Sequence, residues 1–212
     1  MRLDVKKDRK ALYQAGTADF AEVDVPPATY LAADGHGDPD TAPAYAAAVG
    51  ALYAAGYATR SALKDRTGDD FVVGPLEGLW TSADPATFTA RSKADWDWTM
   101  LIPLPDPVDA DDVAQGLAAA AARKPDLPVA GVRVLRLHEG RALQILHVGP
   151  YDDEGPTLAR LHDQVMPALG LTWNGPHHEI YLGDPRRSAP ETLRTVLRQP
   201  VRAAGAPVAR SG

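Results

Sequence analysis

The 212-residue chain has no cysteine. That excludes disulfide scaffolds, thiolate zinc sites and cysteine nucleophiles, and it suits a reducing compartment such as the cytoplasm. Aromatic side chains are scarce at 7%, namely 4 Trp, 7 Tyr and 3 Phe, so the positions of those few carry information. Long hydrophobic runs are missing as well. The longest uncharged stretch, residues 41–59, is Ala, Gly and Tyr with few large aliphatics, and charges flank it closely. It reads as an amphipathic core helix and not as a membrane span. Met1-Arg2-Leu3-Asp4 is too polar to begin a signal peptide. Glycine-rich phosphate loops, a Gly-x-Ser-x-Gly elbow and an HExxH helix are all lacking. A dedicated metal site is therefore not expected, and no cofactor is implied.

Positive charge is also sparse where it would serve nucleic-acid binding. The net charge of -6 divides into +3 over residues 1–16, +5 over 185–212 and -14 over 17–184. A body that acidic repels phosphate backbones and attracts cations. The arginines from Arg186 to Arg202 lack interleaved aromatics and read as a solvated rim or salt-bridge surface. The expected partner is a hydrophobic small molecule, cationic ones included. Neither nucleic acid nor membrane is expected, and nothing calls for a protein partner.

What the chain does contain is 45% hydrophobic residues, enough for a core without covalent help. Residues 24–34 read as a strand, with Pro26-Pro27 confining its start to an edge. A helix follows over 41–64, then strands over 71–80 and 96–104. Residues 109–124 form a second helix, with acids in its first turn and Arg123-Lys124 at its end. Residues 132–138 and 142–148, around the turn Glu139-Gly140, read as a hairpin. A helix over 154–169 buries Leu158, Leu161, Val165 and Leu169. Strands over 178–182 and 195–201 close the chain, with Ser188 and Glu191 as a one-turn capping box between them.

The pattern is an α+β fold of two β-α-β-β modules that read as an internal duplication. They form one antiparallel sheet with helices on one face and a ligand cleft on the other. The segments are a charged N-terminal stretch (1–20), a first module (21–106), a linker helix (107–130), a second module (131–203) and a disordered tail (204–212), both modules making one domain.

In His178-Glu179-Ile180-Tyr181-Leu182, alternation puts Glu179 and Tyr181 on one strand face and His178, Ile180 and Leu182 on the other. Ile180 and Leu182 suit the helix-covered core, which leaves Glu179 and Tyr181 for the cleft. A carboxylate there loses hydration and becomes a base or a cation partner. A solvated strand glutamate is the plain alternative. Glu77 is read as its equivalent in the first module. Tyr151 follows a strand end, where its phenol can donate to a ligand carbonyl. Trp80, Trp96 and Trp98 fall on two neighbouring strands and supply stacking area, although core packing accounts for any one of them. His147 and His178 are further candidates to line the cleft, with satisfied core histidines as the simpler reading.

At Val73-Gly74-Pro75-Leu76-Glu77-Gly78-Leu79-Trp80, and from Gly175-Pro176-His177-His178-Glu179-Ile180-Tyr181-Leu182 to Arg187, the sequence resembles the GyrI-like small-molecule-binding domain family. Leu146–Glu154 and Leu197–Pro200 extend the resemblance, which runs from about Asp24 to Val201. It implies a pair of β-α-β-β modules around a pseudo-twofold axis with a ligand cleft between them, as in effector-binding domains of MerR-type and AraC-type regulators. Stand-alone relatives sequester drugs or hydrolyse cyclopropanoid electrophiles, so both readings stay open, as does a module that contacts a regulator or a topoisomerase. For hydrolysis, Glu179 would orient or deprotonate a water and Tyr151 or Tyr181 would hydrogen-bond the conjugated carbonyl, which makes Glu179 and Tyr151 the candidate catalytic residues. Trp80, Trp96, Trp98, Glu77, Tyr181, His147 and His178 would bind ligand. Thr81 stands where many stand-alone relatives carry a second Trp.

Overall fold

The computed structural model describes residues 1–82 and 92–205. The expected tail therefore lies outside the described residues from position 206 onward. Along the chain the elements are β1 (Arg2–Leu3), α1 (Val5–Asp8), α2 (Lys10–Tyr13), β2 (Ala21–Val25), β3 (Ala28–His36) and α3 (Pro43–Thr67). There follow β4 (Asp70–Phe71), β5 (Leu76–Thr81), β6 (Asp97–Leu104), α4 (Ala110–Arg123), β7 (Arg133–Leu137) and β8 (Gly140–Val148). The last part holds α5 (Gly155–Arg160), a π-helical turn (Leu161–Val165), α6 (Met166–Ala168), β9 (Leu171–Trp173), β10 (His177–Tyr181) and β11 (Arg194–Ala203). No described helix is long and apolar enough to cross a membrane.

The chain forms two compact units, residues 1–10 with 28–137 and residues 11–27 with 138–212. In the first, β5, β6, β3 and β7 make an antiparallel sheet in that order. Pro43 opens α3, where its missing N–H costs nothing, and Gly68 ends it at φ +78. Asp109 and Asp112 cap α4 reciprocally, each carboxylate accepting the other's backbone N–H. Asp112 also takes two hydrogen bonds from Arg66, which ties α4 to α3. The helices touch backbone to backbone at Gly116, where a Cβ would lie 2.6 Å from Thr59 N.

Register decides what each face of this sheet carries. Glu77 opposes Leu101 and Leu79 opposes Thr99, so these four share one face. There Leu79 and Leu101 pack with Ala28, Tyr30 and Ala32, flanked by Leu135 and Leu137. On the other face Trp80 opposes Trp98, and both rings meet Tyr45 of α3.

In the second unit, β2, β8, β11 and β10 form an antiparallel sheet in that order, and β9 pairs with the far end of β11. Leu143 and Val201 pack against Leu161, Met166 and Leu171, so the helical segment 155–168 covers their face. The π turn spaces Leu161 and Met166 five residues apart on the buried side and leaves Leu169 exposed, which corrects the expected Leu158–Leu169 stripe.

Three further expectations change. The strand over 24–34 is two strands, because Pro26-Pro27 supplies no ladder donors; β2 pairs with β8 and β3 with β6 and β7. The hairpin over 132–148 does not form. Leu135 and Leu137 bury against Tyr30, drawing β7 to β3, while β8 pairs with β2 and β11. The turn Pro190–Thr192 follows Ala189 with no side-chain cap, because Ser188 lies one residue too early to reach it.

Candidate functional site

Glu179 and Tyr181 share a face of β10, two residues apart, and the Tyr181 hydroxyl donates to Glu179 Oε2 at 2.8 Å. That bond orients the carboxylate. The Tyr181 ring meets Tyr151 edge-on, with centroids 5.5 Å apart. Tyr151 opens a one-turn 3-10 helix between β8 and α5. Burial first, then the carboxylates of Glu154, Glu179 and Asp184, push its phenol up to about 12. At neutral pH it is a protonated donor.

Two histidines back this group. His177 Nε2 lies 3.7 Å from Glu179 Oε1, and burial, with His162 and His178 beside it, drops the imidazole to about 3. His162 sits in the π turn with its ring 4.1 Å from that of Trp173, and burial drops it to about 4. Both rings are neutral at pH 7. His147 belongs to the same face, since Tyr181 opposes Thr195 and Thr195 opposes His147. Its Nε2 contacts the Pro150 carbonyl at 3.1 Å, which ties β8 to the segment carrying Tyr151.

The orientation of Glu179 and Tyr181 departs from expectation. They share a face with Leu197 and, further along β11, Val201, which packs on the helical segment. They therefore point to the helix side. Ile180, read as the helix-facing residue, is fully buried on the opposite side together with Val196. Alternation separates two faces, but when both are buried it does not say which one the helix covers.

His178 lies on that opposite face, inaccessible to solvent, with Nδ1 3.0 Å from Glu139 Oε1. Arg198 donates to Glu139 Oε2 at 3.1 Å, to Gln144 Oε1 and to the Leu12 carbonyl, while Gln144 donates to the Ala11 carbonyl. Burial works to raise the Glu139 carboxyl, but His178 and Arg198 hold it well below the usual range. His178 thus belongs to a buried ion network and not to the Glu179 group. Its partner Glu139, read as a turn residue, could not be found from local pattern.

In the first unit, Glu77 is buried on the face turned away from α3. Trp80 and Trp98 lie on the α3 side, their rings 6.4 and 5.2 Å from Tyr45. Trp96 meets Trp80 edge-on at 5.6 Å, and Trp98 Nε1 donates to the Gly37 carbonyl. The three indoles are brought together, with Tyr45, but Glu77 is not among them. Nor is Glu77 the counterpart of Glu179. Aligning the Gly-Pro pairs at 74–75 and 175–176 sets Glu77 against His178 and Trp80 against Tyr181. That offset of one residue is a change of face. Thr81 shares the face of Glu77. Among the described residues no group of His, Asp and Glu could hold a metal ion.

Residues 18–202 match the profile of the GyrI-like small molecule binding domain. Among solved structures, an uncharacterized conserved protein from Listeria innocua is 36% identical with a TM-score of 0.85, covering 94% of this chain and all of its own. A hydrolase from Listeria innocua is 35% identical at a TM-score of 0.80, with 94% of this chain and all of its own covered. A second Listeria innocua hydrolase structure is 34% identical at 0.81, with 95% and all covered. The C-terminal domain of EcmrR, 12% identical at 0.56 over 87% of this chain and 98% of its own, shares the fold alone. No curated protein matches the chain.

Proposed function

Because the chain belongs to the GyrI-like small molecule binding domain family, we propose that it binds hydrophobic aromatic small molecules, cationic ones included, and hydrolyses those that carry a cyclopropanoid electrophile. The observation that carries this reading is the 2.8 Å bond from Tyr181 to Glu179 beside the protonated phenol of Tyr151. A base and a hydrogen-bond donor then stand next to each other. Relatives that bear the name hydrolase, at 34–35% identity over their whole length, support it. The acidic interior of the chain favours a cationic ligand.

In the reaction, the water oxygen attacks the cyclopropane carbon and the strained C–C bond breaks. Its electron pair passes through the conjugated ring to the carbonyl oxygen, which becomes a phenolate. Glu179 takes the proton of the water, and the phenolate takes up one proton, so the sum is addition of water with no change of oxidation state. Tyr181 is committed to holding Glu179, so Tyr151 donates to the developing oxyanion. Ring strain and aromatisation drive the step, and the protein supplies orientation and a base.

Incubation with a spirocyclopropyl dienone is the test. The hydrated phenol should appear faster than in buffer, and Glu179→Gln should lower kcat about 10³-fold. Product no faster than buffer, with ligand still quenching Trp fluorescence, would leave binding without catalysis. Turnover that survives Glu179→Gln would remove Glu179 from its role.

A further inference from the structure

Resting on that hydrolysis, we propose that His177, with its tautomer set by Gln199, holds the attacking water against Glu179. His177 immediately precedes His178 but faces the opposite way, toward Glu179, with Nε2 3.7 Å from Glu179 Oε1. That span is too long for a direct hydrogen bond and fits one water touching both atoms. His177 is more than nine-tenths buried, and neither ring nitrogen makes a hydrogen bond to a protein group at bonding geometry. Buried imidazole nitrogens without partners are uncommon and ask for a reason.

Gln199 indicates which nitrogen carries the proton. Its Nε2 donates to the carbonyls of Gly175 and Pro200 at 3.0 and 3.1 Å, which fixes the flip of the amide and makes the other atom an acceptor. That Oε1 is itself buried and unbonded. Gln199 lies across from His177 in the continued β10–β11 register, on the same face of the sheet. Nε2 is the nitrogen on the side of Glu179, so the acceptor on the neighbouring strand is assigned to the other edge of the ring, with the proton on Nδ1 and a lone pair on Nε2.

A water in the gap then donates one hydrogen to Glu179 Oε1 and the other to His177 Nε2. Both its lone pairs face away from the protein groups, toward an electrophile. When the oxygen bonds to carbon, the first hydrogen passes to Glu179, and the second stays on the new hydroxyl. His177 changes neither charge nor tautomer, so it is a positioning residue and not a second base. Its burial in neutral form is what the task requires, because an imidazolium would donate to the water and turn its lone pair inward.

Two measurements test this on the full chain. The first is turnover of a spirocyclopropyl dienone beside binding read from Trp quenching. His177→Phe should lower kcat about 10²-fold with ligand affinity unchanged within twofold. His177→Gln, whose amide oxygen reaches a comparable place, should recover about tenfold of that loss. The second is 15N NMR of the His177 imidazole at pH 7, which needs no substrate. It should find the proton on Nδ1 in the wild type and on Nε2 in Gln199→Met, with kcat lowered in parallel. Wild-type kcat in His177→Phe, or a wild-type proton on Nε2, would overturn the proposal while the hydrolysis stands. No turnover by the wild type would remove the hydrolysis, and this role with it. If His177→Phe does not fold, Gln199→Met decides the matter.

Discussion

Tyr151 and Tyr181 are both phenols beside the same carboxylate, yet their surroundings assign them different work. Tyr181 spends its hydroxyl on Glu179. Tyr151 keeps its proton because burial and three nearby carboxylates disfavour the phenolate. Tyr151→Phe should lower kcat about 10²-fold by removing the oxyanion donor. Its pH dependence follows from the sign of the shift. A donor is competent below its pKa, and that pKa is about 12, so activity should not fall between pH 7 and 10 on account of Tyr151. A kcat profile with an alkaline limb near 10 that vanishes in Tyr151→Phe would contradict this. Glu179 and Tyr181 were legible as a pair because strand alternation is a local rule. His177 did not stand out in the same way, because its neighbour Gln199 is 22 residues away and is brought opposite it only by strand pairing.

At the scale of elements, caps and turns were readable and pairings were not. The acidic first turn of α4 and its basic last turn are local chemistry, and the helix ends where they say. The hairpin over 132–148 failed although its turn residues were suitable. Burial of Leu135 and Leu137 against Tyr30 outweighs a short turn, and no local pattern announces it. The π turn is of the same kind. Its extra residue re-aims His162 and Met166, and the 3.6 period alone could not reveal it. Contact between α3 and α4 at Gly116 makes its own prediction. In Gly116→Ala the added methyl would meet Thr59 N and Cα at 2.6 and 2.7 Å, so backbone must move. Stability should fall by about 1–3 kcal/mol, seen as a lower urea midpoint at unchanged m-value.

For the molecule as a whole, pH acts through groups that are buried in one state of charge. His177 is held neutral at about 3, whereas an unfolded imidazole titrates near ~6.5. Between these values the unfolded chain binds the extra proton, so acid favours unfolding. The stabilisation is complete above about pH 6.5 and is lost as pH falls toward the folded value, by at most about 1.4 kcal/mol per pH unit. Glu139 adds the same sign lower down, since its carboxyl is depressed and its pairing with His178 and Arg198 fails on protonation. Urea unfolding between pH 7 and 4 should therefore show a steady loss, and His177→Gln should flatten it. An unchanged slope in that variant would mean that other groups set the acid limit.

The sequence by itself determined composition, charge distribution, most element positions, the Gly-Pro strand motifs and the sharing of a face by Glu179 and Tyr181. Each of these follows from residue type and near-neighbour spacing. Only tertiary structure decided that Glu179 points to the helix side, that Glu77 turns away from the indoles, and that His178 belongs to a buried ion network with Glu139 and Arg198. The reason is that both faces of each central strand are buried. Alternation then distinguishes one face from the other, while the elements that cover each face come from distant parts of the chain.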